Sequence, residues 1–115
     1  LQDSLGKKDL NTSLEITRSL LENGTQIPQI LIRLVYLYQQ MLWKKMGRSK
    51  PGGYTGINKI ITSNLNRYDG SYTHSELIHL LQDLRKMDVL SKSTSLDEEA
   101  LLQPFIVKIC RDQYV

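Results

Sequence analysis

The apolar positions of this 115-residue chain recur at helical spacing from one end to the other, and no run alternates with the period of two that marks a strand. Leu1 and Leu5 stand one turn apart before Gly6-Lys7-Lys8 breaks the run, which predicts a short helix or the tail of one. Leu10, Leu14, Thr17 and Leu21 follow at i, i+4, i+7 and i+11, widened by Ile16 and Leu20. They predict a helix from Asp9 to Asn23, with Asp9 as cap or first-turn acid and Gly24 in the left-handed position after it. From Ile27 to Met46 the pattern is strongest. Pro28 fits the first turn, with Thr25 or Gln26 as the cap, and Ile27, Ile30, Leu31, Leu34, Val35, Tyr38, Met41 and Leu42 form a wide stripe. Ile32, Tyr36 and Trp43 add a second apolar line, and polar residues are confined mainly to Gln29, Arg33, Gln40 and Lys44. A helix apolar around most of its girth is packed on more than one side, so this one is expected at the centre.

Gly47 to Gly56 reads as a loop. A third helix from Thr55 to Tyr68 has Ile57, Ile61, Leu65 and Tyr68 on one face, and Asp69-Gly70-Ser71 turns the chain. Thr73-His74-Ser75-Glu76 is a capping box, in which the Thr73 hydroxyl accepts from the Glu76 N–H while Glu76 reaches back. It opens a fourth helix with Leu77, Leu80, Leu81, Leu84 and Met87 inward, fading near Ser91 to Ser93. Ser95-Leu96-Asp97-Glu98 repeats the capping pattern and starts a fifth helix to Arg111, burying Leu102, Phe105, Ile106 and Ile109. Pro104 is expected to bend that helix or divide it in two. The expected fold is all-α, an antiparallel bundle of about five helices joined by short loops.

Composition removes whole classes of function. With 40% hydrophobic and 23% charged residues and a net charge of +3, the chain is a globular domain, not a disordered one. A single cysteine, Cys110, excludes a disulfide framework and a multi-cysteine zinc site. No apolar run approaches the roughly 20 residues that cross a bilayer. The first residue is Leu1 and no signal-peptide pattern follows it, so residues 1–115 are read as one domain cut from a longer protein.

Chemistry-bearing residues are sparse. His74 and His79 lie about 140° apart on a helix and cannot chelate one ion together. Cys110 has no base near it in sequence, and Asp97, Glu98 and Glu99 occupy a first helical turn, where acids suit the dipole. The loop Gly52-Gly53-Tyr54-Thr55-Gly56 lacks the Gly-Lys-Ser/Thr ending that a phosphate cradle needs. No catalytic residue, cofactor site or metal site is expected. One segment is less neutral: four of the 15 basic residues, Lys44, Lys45, Arg48 and Lys50, fall in seven positions between Trp43 and Tyr54. Basic groups interleaved with aromatics can follow a phosphate backbone and stack a base, which makes Lys44, Lys45, Arg48, Lys50 and Tyr54 the candidate DNA contact.

The order of these motifs resembles a known family. Leu1 to Leu10, then Leu14-Glu-Ile through Leu20-Leu21-Glu-Asn-Gly24, is similar to the start of the C-terminal domain of the DNA polymerase III delta subunit. Pro28-x-Ile-Leu-x-x-Leu34 continuing to Met41-Leu42 resembles that family's long central helix. Tyr54 to Tyr68, Thr73-x-x-Glu76-Leu77, Leu84-Arg-Lys-Met-Asp88-x-x-x-Lys92 and Phe105-Ile-Val-Lys-Ile109 resemble the later helices in order. The chain departs from the family at the Gly47–Gly53 loop, which lacks the usual apolar connector, and at Pro104.

The resemblance implies a helical collar domain of the bacterial clamp loader, which opens the ring-shaped sliding clamp and places it on primed DNA. Its implied role is subunit assembly beside gamma/tau and delta-prime type subunits in a five-membered complex. ATP hydrolysis is then the work of other subunits, and clamp opening that of an N-terminal domain absent here. No catalytic activity is expected of this piece, whose parent complex is the polymerase III holoenzyme, a nucleotidyltransferase. The implied setting is the bacterial cytoplasm, with no membrane partner, possible contact with primed or single-stranded DNA, and a monomer or weak self-association for the isolated piece. Apolar surface beyond what a lone bundle buries marks an interface, and Ile32, Tyr36, Trp43 and Tyr72 are the residues expected to form it. The alternative is a helical nucleic-acid-binding or adaptor domain of a regulator, with the third and fourth helices as its reader pair.

Overall fold

The computed structural model describes residues 1–47, 59–93 and 98–114. Among them are six α-helices and no strand: α1 (Gln2–Gly6), α2 (Leu10–Glu22), α3 (Ile27–Lys45), α4 (Lys59–Asp69), α5 (His74–Ser93) and α6 (Glu98–Cys110). The five expected helices are present, and the segment around Leu5 is a short sixth. The expected start of the third helix at Thr55, the loop beyond Gly47 and the Ser95-Leu96-Asp97 part of the second capping box lie outside the described residues.

Local chemistry explains the helix ends. Asp9 caps α2, its carboxylate accepting from the Thr12 N–H at 3.2 Å. The capping box forms at the start of α5: the Glu76 N–H donates to the Thr73 hydroxyl at 3.0 Å, and the Thr73 N–H donates to the Glu76 carboxylate at 3.3 Å. After α2 the Thr25 N–H reaches the Leu20 carbonyl and the Gly24 N–H reaches Leu21, with Gly24 at φ +87°. This paired closure satisfies carbonyls that the helix leaves open. α1 and α6 close by the same bonding pattern, but with Lys8 (φ 56°) and Asp112 (φ 57°) in the left-handed position. A side chain there costs about 1–2 kcal/mol, so both turns need support from elsewhere.

α3 is central, as its wide apolar girth predicts. It packs chiefly on α5, while α2 packs on α6 and the short α1 lies against α2, α3, α4 and α6. Leu34, Leu37 and Tyr38 of α3 are wholly enclosed, together with Leu77 and Leu80 of α5 and Leu102, Ile106 and Ile109 of α6. The expected stripe of α2 faces the core, with Thr17 of that stripe and the neighbouring Ser13 as its most enclosed positions. Ser13 and Thr17 are its buried residues, while Leu10, Leu14, Leu20 and Leu21 pack half-buried around the core. Small side chains let α6 approach closely, and their hydroxyls are satisfied: Ser13 donates to Ser4 at 3.0 Å and Thr17 to the Ser13 carbonyl at 2.8 Å.

Tyrosines hold α1 in place. Gly6 faces the Tyr68 ring so closely that a Cβ there would stand 2.7 Å from ring carbons. The Tyr68 hydroxyl donates to Asp3, and the Tyr72 hydroxyl donates to the Leu5 carbonyl while Tyr38 stands 3.1 Å from it as the donor. α6 runs through Pro104 as one element, so the division into two pieces does not occur. Pro104 and Ala100, whose carbonyl loses its usual partner, are both exposed, and water can take the place of the missing N–H.

Candidate interaction groove

The seam between α3 and α5 is not closed on its outer side. It leaves a groove of about 540 Å³. Leu31 and Leu84 form its floor, both almost fully buried. Ile32, Val35, Leu42 and Trp43 from α3 and Leu81 from α5 form its walls, and Arg85, Asp88 and Lys92 its polar rim. These α3 positions recur every three or four residues, so one helical face lines the whole length. Ile32 is 50% exposed, and beyond the rim Val89 and Leu90 of α5 are 61% and 41% exposed. A second hollow, of about 410 Å³, lies among α1, α2 and α3 beside Asp3, Ile16 and Arg33.

Of the residues expected at an interface, Ile32 and Trp43 line this groove. Tyr36 is half-buried on α3 between them but is not part of the lining. Tyr72 is corrected: it is 3% exposed, its ring tilted against Tyr38 at 5.5 Å and its hydroxyl bonded to α1. Its surface is spent inside the molecule. Val35, Leu42 and Arg85 belong to the groove although the sequence pattern assigns the first two to the core stripe. Both positions border the second apolar line of α3, and that adjacency is the signal that could have found them.

The basic cluster divides. Lys44 is exposed at the end of α3. Lys45 turns inward, donating to the Asp69 carbonyl at 2.9 Å and pairing with its carboxylate at 3.0 Å, so it ties the end of α3 to the end of α4. Arg48, Lys50 and Tyr54 lie outside the described residues. Asp88 and Lys92 pair at 3.1 Å across one turn of α5. Both are largely exposed, and such a pair contributes about 0.3–0.5 kcal/mol.

The most enclosed charges lie elsewhere, in a clasp around Lys8. Its ammonium bonds both Glu76 carboxylate oxygens, at 2.9 and 3.2 Å, pairs with Asp112, and stands 4.4 Å over the Tyr72 ring. The Lys8 and Glu76 side chains are 10% and 1% exposed. One ammonium therefore joins the turn after α1, the start of α5 and the turn after α6. It also links the two residues that hold left-handed backbone.

Burial pushes the Cys110 thiol up, away from the reactive thiolate. Tyr38, Tyr72 and Tyr114 are raised above the ordinary phenol value, each chiefly by burial. Burial, with Asp3 as hydrogen-bond partner, pushes Tyr68 up to about 12, and the Tyr68 hydroxyl in turn holds the Asp3 carboxyl below its usual value. His74 is exposed, and an exposed His79 has Nδ1 3.3 Å from the Tyr114 carbonyl. Among the described residues no three His, Cys, Asp or Glu side chains gather as metal ligands, and no helix is long and apolar enough to cross a membrane.

Comparison with known proteins gives one match. The family model for the C-terminal domain of the DNA polymerase III delta subunit matches residues 1–109. Neither a curated protein nor a solved structure matches the chain.

Proposed function

The chain belongs to the family formed by the C-terminal domain of the DNA polymerase III delta subunit, a non-catalytic domain of the clamp loader, and from that membership we propose that it is an assembly module. In this reading it is a collar domain that holds its parent protein against gamma/tau and delta-prime type neighbours, so that the complex can load the sliding clamp onto primed DNA in the bacterial cytoplasm. The observation that carries the reading is the α3–α5 groove, where Ile32 stands half-exposed on the same lining face as Trp43, on the helix that also forms the core. Apolar surface of this kind is stabilised by being covered. Ile32, Tyr36 and Trp43 are the proposed anchors.

Mixing the 115-residue chain with the neighbouring loader subunits and weighing the product by light scattering tests the reading. A defined complex is expected, weakened by the Tyr36→Ala/Trp43→Ala double substitution. Wild-type assembly by that variant removes those two residues as anchors, and no complex at all rejects the assembly role.

A second reading, contact with primed or single-stranded DNA, draws support from exposed Lys44 at the end of α3. It predicts binding that weakens steeply with salt. An affinity unchanged by replacing Lys44, Arg48 and Lys50 with alanine rejects it.

A further inference from the structure

α5 carries a polar line beside its apolar stripe. Glu76, His79 and Asp83 stand at i, i+3 and i+7, so they share one face of the helix. Each is met by the turn that follows α6, or by a residue tied to that turn. The Tyr114 hydroxyl donates to Asp83 at 2.6 Å, and His79 Nδ1 donates to the Tyr114 carbonyl at 3.3 Å. Asp112 pairs with Lys8, whose ammonium also holds Glu76. Tyr114 is buried, its ring edge-on to Phe105 at 5.9 Å with the Lys108 ammonium 4.4 Å over its face.

This fastening matters because the helices pair unequally. α3 and α5 form one close pair and α2 and α6 another, while α5 and α6 approach each other little. Water reaches the polar seat, since Asp112 and His79 are exposed. Asp112 also holds a left-handed backbone (φ 57°) that a side chain disfavours. Bonds open to water beside a strained turn mark a segment that opens locally before the whole fold does. Lys8 is left-handed too (φ 56°), so taking Asp112 from its ammonium weakens a second strained turn. The turn after α6 lies past residue 109, where the family match ends, and the family assignment does not account for it.

We infer that residues 111–114 form a latch that fastens α6 to α5, and that this latch opens together with the turn after α1 while the α3–α5 pair stays folded.

Amide hydrogen exchange of the full 115-residue chain, read residue by residue by NMR, tests the latch. The Arg111, Asp112 and Gln113 N–H groups, bonded to the Val107, Ile109 and Lys108 carbonyls, report on the latch itself. The Lys8 and Asp9 N–H groups, bonded to the Leu5 and Ser4 carbonyls, report on the turn after α1. Leu37 and Tyr38, wholly enclosed in α3, report on the rest of the fold. Tyr114→Phe keeps the ring and removes the hydroxyl. Losing a hydrogen bond to a charged group is expected to speed exchange at the first two sets about tenfold and to leave Leu37 and Tyr38 unchanged. Asp83→Ala removes the acceptor instead and is expected to give the same pattern.

Equal acceleration at Leu37 and Tyr38 overturns the inference, because Tyr114 would then stabilise only the fold as a whole. Unchanged exchange at residues 111–113 in both variants overturns it as well. Acceleration confined to those residues, with Lys8 and Asp9 unchanged, shows two turns that open separately and overturns the joint opening.

Discussion

Replacing Lys8 with methionine tests whether the clasp organises the bundle. The substitution keeps an unbranched stem of similar length and removes the ammonium. It leaves Glu76, 1% exposed, with a buried carboxylate facing no cation. Removing one partner of a buried pair costs about 3–5 kcal/mol. Asp112, the other partner, is 65% exposed, so water reaches that side of the site and the lower figure, ~3 kcal/mol, is the appropriate one. Domains of this size have a stability on the order of 5–15 kcal/mol, so the loss is large. At a urea slope of about 1.5 kcal/mol/M, the unfolding midpoint falls by about 2 M. Glu76→Gln keeps the cap, because glutamine serves a capping box as well, but it leaves the nearly buried Lys8 ammonium with Asp112 alone of its two carboxylates. In Lys8→Met/Glu76→Gln no buried charge is left alone. The double variant is therefore expected to be more stable than the sum of the single losses by at least ~1.5 kcal/mol, a coupling typical of residues in contact. Urea unfolding at neutral pH of the four proteins reads it directly. Additive losses would show that Lys8 and Glu76 act separately, and the clasp would not be a unit.

Two further outcomes follow from the packing of α1. Gly6→Ala drives a methyl into the Tyr68 ring, whose carbons would lie 2.7–2.8 Å away; overpacking of this kind costs about 1–3 kcal/mol, and an unchanged thermal midpoint would contradict the tight approach. Tyr68→Phe removes the bond that depresses the Asp3 carboxyl, so Asp3 is expected to titrate closer to its ordinary value by NMR. A depressed carboxyl contributes stability that is present above its unfolded value and lost as pH falls through the folded one, so Tyr68→Phe is expected to flatten the acid limb of the stability curve. In the wild type the raised phenol works with the opposite sign. Its stabilisation is complete below pH 10.0 and disappears as pH rises toward about 12, where phenolate absorbance is expected to rise together with unfolding.

What was legible in the sequence was local. Asp9 as a cap, Gly24 in the left-handed turn, Pro28 in the first turn of α3 and the Thr73–Glu76 box each depend on neighbours within a few residues, and each is found as expected. The wide apolar girth of α3 foretold its central place. In α2 Thr17 was legible as part of the stripe, but Ser13 was missed because hydropathy weighs leucine above serine, whereas close approach to α6 favours both, with their hydroxyls turned onto Ser4 and the backbone. Pro104 does not divide α6, because its cost depends on where the freed carbonyl points, and Ala100 is at the surface. Lys8 read as part of a helix-breaking Gly-Lys-Lys, because its partners Glu76 and Asp112 lie 68 and 104 residues away in sequence.

The same division governs the site. Ile32 and Trp43 were legible as surplus on a helix whose other face already fills a core. Tyr72 was equally apolar but offered no such surplus, since nothing about a residue in a turn reveals that its hydroxyl closes onto the Leu5 carbonyl. The basic stretch near Lys44 suggested one continuous patch, yet Lys45 is taken by Asp69, because consecutive helical residues point about 100° apart and cannot share one surface. Charge counted along the chain therefore misplaces the exposed field. The net charge of +3 says little about a partner until each carboxylate has been traced to its own cation or hydroxyl. Once Glu76, Asp83 and Asp88 have been traced in this way, Arg85 is the lining cation that no carboxylate among the described residues pairs with.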